Sequence, residues 1–337
     1  MVRLRSAVCW VGLVVLAVQA RGIEPIPRES GLKGYVNLGV TALSVKNNTV
    51  AGLKLVDVGE SKISSVFDSP DSESVVVPAL NGEVSYTWAE TRSQLFLGNR
   101  LEDFIRFDST SAFGLRQEAG AAGAVEGSIL FSGLPTEVWQ DPFVEGIDRE
   151  ATDRSSTGAR VAWDKIMGSR FEFSLAARKI ELDTERSGEF LGLSASERRL
   201  LDREGDFYSG EFLYVVDLGA RQYIVPSLRA ARFDLDGDAM ANDRIGAQVT
   251  YAYSWERVRL VANAYYSRAE YDARHPVYGK TRGDDLFGLA ISAFWPDLLG
   301  YGNWTGVATL LYGAQDSNIS FYDSEVLGAG LSALYRF

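Results

Sequence analysis

Asp234, Asp236 and Asp238 alternate through the stretch DLDGD, the spacing at which a calcium loop presents its first carboxylates. The sixth position of such a loop would be Ala239 where the sharp turn needs glycine, and the twelfth would be Ile245 where a bidentate glutamate is needed, so the stretch fails as an EF-hand. Two readings remain: a looser divalent site that borrows Asn242 or Asp243, and a solvated acidic hairpin tip. His275 is the only histidine, so any histidine-dependent acid–base step must run through it. It stands before Pro276, and no serine or asparagine accompanies it at a recognisable catalytic spacing. Cys9, the only cysteine, lies in the first twenty residues, which leaves the remainder of the chain without disulfide or thiolate chemistry. No covalent chemistry and no cofactor are expected.

Six further charges share a regular setting. Glu126, Arg160, Glu172, Arg178, Glu211 and Arg229 each fall on the row opposite the apolar row of an alternating segment, with opposite signs on neighbouring segments. If the apolar rows face hydrocarbon, these charges face inward. They then either line a water-filled channel or form a wall of mutual salt bridges in a narrow lumen. Which of the two applies depends on the elements that carry them.

Helical periodicity is nearly absent, and period-2 alternation recurs down the chain. From Ile245 to Trp255 every odd position is apolar and every even one small or polar, and Leu327, Ala329, Leu331, Ala333, Tyr335 and Phe337 repeat the pattern at the C-terminus. Fourteen such segments are expected, with twelve as the alternative. Their connections alternate between short (89–90, 118–122, 165–169, 218–219, 256–257, 296–301) and long (46–77, 133–155, 183–206, 234–243, 272–284, 314–323), with 99–106 the weakest case. A soluble sandwich does not require that alternation, whereas a barrel with two different ends does. Trp88, Trp163, Trp255, Trp295 and Trp304 all stand at short-turn ends and continue the apolar rows, as an aromatic girdle would. Strands can cross lipid only when the sheet closes on itself and leaves no unpaired edge. The expected fold is all-β: a transmembrane up-and-down antiparallel barrel with short periplasmic turns and long extracellular loops, in contact with outer-membrane lipid and lipopolysaccharide.

The composition agrees. With 46% hydrophobic residues and a mean hydropathy of −0.06 the chain is neither disordered nor a helical bundle, and after residue 20 no apolar run is long enough for a membrane helix. Residues 1–20 read as a signal peptide: Arg3 and Arg5, an apolar core from Val8 to Val18, then Val18-Gln19-Ala20 for cleavage, with a cut after Gly22 fitting nearly as well. Residues 21–33 are then a periplasmic N-terminal segment and 34–337 the barrel. Removing the leader lowers 34 basic residues to 32 against 45 acidic ones and takes the net charge from −11 to −13, which argues against nucleic acid as a partner.

The segments GYVNLGV (34–40), SPDSES (69–74), LFLGNRLEDF (95–104), PTEVWQDP (135–142), LLDREGD (200–206), DLDGDAMAND (234–243), YGKTRGDD (278–285) and DSNISFYDSE (316–325) make the chain similar to a family of Gram-negative outer-membrane β-barrel proteins that is catalogued as a domain of unknown function. It broadly resembles monomeric porin-like barrels. The resemblance implies the fold and the compartment, and no activity. The final Tyr335-Arg336-Phe337 resembles the aromatic-ended last strand of such barrels, which implies that the barrel-assembly machinery reads Tyr335 and Phe337.

The function expected is a passive porin-like channel for small polar solutes. The alternatives are a structural or interaction barrel whose acidic loops bind a partner or bridge lipopolysaccharide through divalent ions, and a rim hydrolase built on His275. Ser194 to Leu201 has capping-box spacing and an amphipathic turn, readable as a constriction helix, a lid, or an insert packed over the rim. An inward-folded loop or the 23–33 segment would plug the passage.

Overall fold

The structure, a computed structural model, describes residues 26–54, 56–103, 108–133, 135–219 and 221–337, with the side chains of 100–109 excepted. The proposed leader and Cys9 lie outside the described residues. Fourteen antiparallel strands form the wall. They are β1 (Gly31–Lys46), β2 (Ser72–Trp88), β3 (Ser93–Asp103), β4 (Asp108–Glu118), β5 (Ala124–Phe131), β6 (Ala151–Asp164), β7 (Phe171–Leu182), β8 (Gly205–Tyr214, continued by Val216–Gly219), β9 (Gln222–Leu235), β10 (Asn242–Trp255), β11 (Val258–Arg274), β12 (Thr281–Pro296), β13 (Trp304–Ser317) and β14 (Ser324–Arg336). Each pairs with its sequence neighbour, and β14 returns to β1 in register from Tyr35↔Arg336 to Lys46↔Glu325. Backbone bonds between Gly34 and Phe337, at 3.0 and 3.1 Å, finish the seam, so the sheet has no free edge.

The alternating rows settle which way the wall faces. Leu38, Val40, Leu228, Ile245, Leu310 and Leu331 are exposed on the outside, Ile245 at 72%, while the opposite rows are buried. Water would penalise that arrangement and hydrocarbon rewards it. The five tryptophans lie on the outward rows at the short-turn end. Trp295 lies flat across Gly306 of the neighbouring strand, where a Cβ would come within 2.1 Å of its Nε1, so only glycine accommodates the ring. Trp304 packs on Tyr335 at 4.9 Å.

Strand ends at the short-turn side match the sequence reading within a few residues. At the other end the strands run further: β11 continues to Arg274 and β2 begins at Ser72. There the outward residues turn polar, with Arg268, Glu270 and Asp272 on β11 and Lys179 and Glu181 on β7. Alternation disappears because these stretches rise above the apolar belt, yet ladder bonding keeps them extended. β1 likewise starts at Gly31, three residues before the expected boundary. The weak connection between the third and fourth segments is a hairpin paired as far as Asp103↔Asp108.

Candidate functional site

The lumen has two storeys. The lower one, beside the short turns, carries a chain of opposed charges on consecutive strands. Glu126 on β5 is 0% exposed and accepts from Arg116 Nε of β4 at 3.1 Å and from Arg160 Nη1 of β6 at 2.7 Å. Arg116 grips Glu83 of β2 through both terminal nitrogens, at 2.7 and 2.9 Å, and lies 3.8 Å over the Phe96 ring of β3. Arg160 reaches Glu172 of β7 at 3.7 Å. Glu211 of β8 stands directly opposite Arg229 of β9 in register, which carries the alternation two strands further. Arg178 is not part of this chain. It sits higher on β7, where its stem crosses Gly158, its Nη1 donates to Thr110 at 3.1 Å and its guanidinium covers the Phe207 ring at 4.6 Å.

Glu83 and Arg116 complete the ladder and were absent from the sequence reading. The parity rule that found Glu126, extended to β2 and β4, would have found both. The arrangement is a wall of mutual salt bridges: each buried carboxylate lies against a guanidinium, so little field remains for a passing solute. Across the barrel the wall carries uncharged polar pairs, with Thr250 donating to Asn263 and Ser292 bonded to Thr309 at 2.8 Å, and the arginines Arg259, bonded to the Tyr223 hydroxyl, and Arg336, donating to Thr305 at 3.0 Å.

The upper storey is apolar and roofed. Connection 47–71 sends the hairpin of Val50–Leu53 and Val56–Asp57 inward against Leu43, Val45, Val77, Ala290, Leu311 and Val326 of the wall. The hairpin pairs with the short strand Thr136–Trp139, which itself pairs with the start of β6. Above it Ile63, Phe143, Leu201, Ala239, Tyr278 and Phe321, from six different connections around the ring, share one core. Groups entering from all sides can share a core only over the barrel axis, so these connections form a cover.

Polar ties hold that cover. Arg149, 5% exposed, donates to the backbone carbonyls of Asn48, Glu60 and Pro142 and stacks on Trp139 at 4.4 Å. Burial pushes its pKa down to about 10. The Asp141 carboxylate accepts from the backbone of Phe143, Gly188 and Phe190. Ala195–Arg199 forms the helix expected after Ser194, closed by a full capping box with Glu197, and Leu200 and Leu201 behind it enter the roof core. Of the readings open for that insert, the geometry is that of a piece packed over the rim.

His275 lies inside this roof, 0% exposed, rather than on an open rim. Its Nδ1 accepts from the Val277 amide at 3.2 Å, so the neutral ring carries its proton on Nε2 and faces the Tyr322 hydroxyl at 2.8 Å. Desolvation first, then the nearby Arg282 charge, pushes its pKa down to about 3, and burial pushes Tyr278 and Tyr322 up. Of the two carboxyls that follow it, Asp284 faces inward and is bound by Arg282, whereas Asp285 faces outward and accepts from Tyr266. The histidine packs the cover, with the Tyr322 hydroxyl as its side-chain hydrogen-bond partner.

Asp234, Asp236 and Asp238 point to solvent, Asp234 paired with Arg232 at 3.2 Å, and among the described residues no group of three or more metal-binding side chains occurs. Gly237 between them is pressed against loop 183–204, where a Cβ would come within 2.4 Å of the Asp202 nitrogen. This stretch closes the roof at that point.

No helix among the described residues is long and apolar enough to cross a membrane, which says nothing of strands. No curated protein matches the chain. Solved structures with a similar architecture include the outer-membrane channel DcaP of Acinetobacter baumannii (9% identity, 92% of this chain and 97% of that one, TM-score 0.46). A Pseudomonas aeruginosa FadL homologue is similar at 10% identity over 90% of each chain, with a TM-score of 0.46. The anion-selective porin from Comamonas acidovorans is similar at 9% identity over 92% of this chain and 100% of that one, with a TM-score of 0.41. At such identities the likeness is one of fold. A closed sheet with its apolar face outward is what an outer membrane admits, so the protein is an outer-membrane β-barrel whose short turns face the periplasm. Residues 31–336 match one family model throughout, and the chain belongs to the family described as protein of unknown function, DUF2860.

Proposed function

We propose that this barrel is a gated passage for small solutes, closed on the extracellular side by its own connections and opened by rearrangement of that cover. The sharing of one hydrophobic core by six connections above the lumen carries the reading. An always-open porin keeps its mouth wet, whereas this mouth is filled with side chains from opposite sides of the ring. Below the cover, the Glu83-to-Glu172 ladder and the facing hydroxyl, amide and arginine groups give released solute a wet, polar exit. In this reading the tryptophan ring and Tyr335 anchor the periplasmic interface, and Tyr335 with Phe337 serves assembly.

Planar-bilayer recording tests the proposal. The intact protein is expected to show rare, brief openings, and a variant lacking residues 48–70 a steady unit conductance. Steady conductance of the intact protein, or none from a correctly folded deletion variant, would reject a gate made of these connections.

A further inference from the structure

Directly beneath the cover, walled by β6, β7 and β9 to β14 and roofed by the connections, is a cavity of about 130 Å³. Val50, Val138, Ile180, Leu182, Phe233 and Phe321 are among its apolar lining. An apolar cavity of about 150 Å³ holds one benzene molecule, so the space suits a single ring.

Its charged groups are already engaged. Arg203 is held by Glu185 at 2.6 and 2.9 Å and donates to two backbone carbonyls. Arg282 is held by Asp284 at 2.9 and 2.7 Å with its plane 3.6 Å over the Tyr322 ring. Asp323 accepts from the Ser317 amide at 2.9 Å, and Arg154 also has a partner. An ion entering here would lose water and gain no unpaired counter-charge.

Two lining residues are different. Asn242 is 1% exposed; its amide nitrogen donates to Met240 O, but its Oδ1 has no partner. Ser187 is 4% exposed and its Oγ has none either. Buried polar atoms are almost always hydrogen-bonded, so a carbonyl acceptor and a hydroxyl left over in an otherwise satisfied apolar cavity indicate what the occupant must bring. A hydroxyl suits either, donating to Asn242 Oδ1 or accepting from Ser187 Oγ–H.

We infer that this cavity is a binding site for a neutral, one-ring apolar molecule bearing a hydroxyl group, and that such molecules are the solutes admitted under the cover. The inference rests on the gated-passage reading for its transport half and on the cavity alone for its binding half. Refolded mature protein in detergent is titrated with phenol, toluene and benzoate by calorimetry. Phenol is expected to bind one to one, about tenfold more tightly than toluene, the value of one net hydrogen bond. Benzoate is expected to bind more weakly than either. Ser187→Ala and Asn242→Ala should each shrink the phenol preference while leaving toluene in place, and Val138→Trp, which fills the space, should abolish both. Heat-modified gel migration reports whether each variant is folded. Absence of saturable phenol binding by folded protein, or tighter binding of benzoate, overturns the inference. Phenol flux into proteoliposomes, measured on the same preparation, separates the two readings. Binding without flux rejects the passage, and flux of small sugars without phenol binding rejects the cargo.

Discussion

In the periplasmic half of the lumen, Glu126 is matched on both sides by arginines from adjacent strands; in the extracellular half, Val50, Ile180, Phe233 and Phe321 close around space that no wall residue fills. The lower half is made by the wall alone and is stiff because each charge is fixed by its neighbours in the ladder. The upper half is made by chain returning from six places and is held by ties such as Arg149 and Asp141 that can be released one by one. A charged lower wall and a dry upper chamber separate two tasks, keeping the barrel in register and selecting what enters it.

The sharpest way to break this comparison is to remove the centre of the ladder. Glu126→Gln leaves Arg116 and Arg160 facing each other across a neutral amide, and is expected to destabilise the barrel by about 3 kcal/mol. That is the low end for a broken buried pair, because Glu83 and Glu172 still hold the outer sides. The drop should appear in the guanidinium midpoint of the barrel folded in micelles, and adding Arg160→Gln should cost less than the sum of the two single changes. A loss below about 0.5 kcal/mol would mean that lumen water already screens the ladder.

The roof should respond to acid. With the cover closed His275 has a pKa of about 3, and with the cover open it returns toward 6.5. Between those values the open form binds the extra proton, so closure is fully stable above pH 6.5 and weakens as pH falls, by about 1.4 kcal/mol per unit. At pH 5 the loss is about 2 kcal/mol. Protease cleavage within 47–71 and bilayer openings should therefore both rise between pH 7.5 and pH 5, and His275→Phe should flatten that response. An unchanged slope in the variant would assign the sensitivity to another group.

The smallest effect sharpens the comparison within the roof itself. Ser194→Ala removes one half of the capping box and should cost about 1 kcal/mol of local stability, read by hydrogen exchange at Ala195–Arg199, with the barrel midpoint unmoved. Spread of the loss into the wall would show that the two halves are coupled.

Sequence alone determined the wall. Alternation is dictated one residue at a time by the pleat, so the outward apolar rows, the order of strands, the tryptophan ring and the parity of Glu126, Arg160 and Glu172 could be read without coordinates; Glu83 and Arg116, missed in that reading, obey the same rule. Where the outward face leaves the apolar belt, as at Arg268 to Arg274, the signal faded although the strand went on, because hydrogen bonding rather than side-chain partition keeps it extended. Only the tertiary structure decided the roof and the chamber. Nothing periodic marks Ile63, Phe143 or Tyr278 as partners, and His275, Asn242 and Ser187 acquired their burial from chain segments far away in sequence. A lumen is defined by what returns to fill it, and that depends on long-range packing that no local pattern encodes.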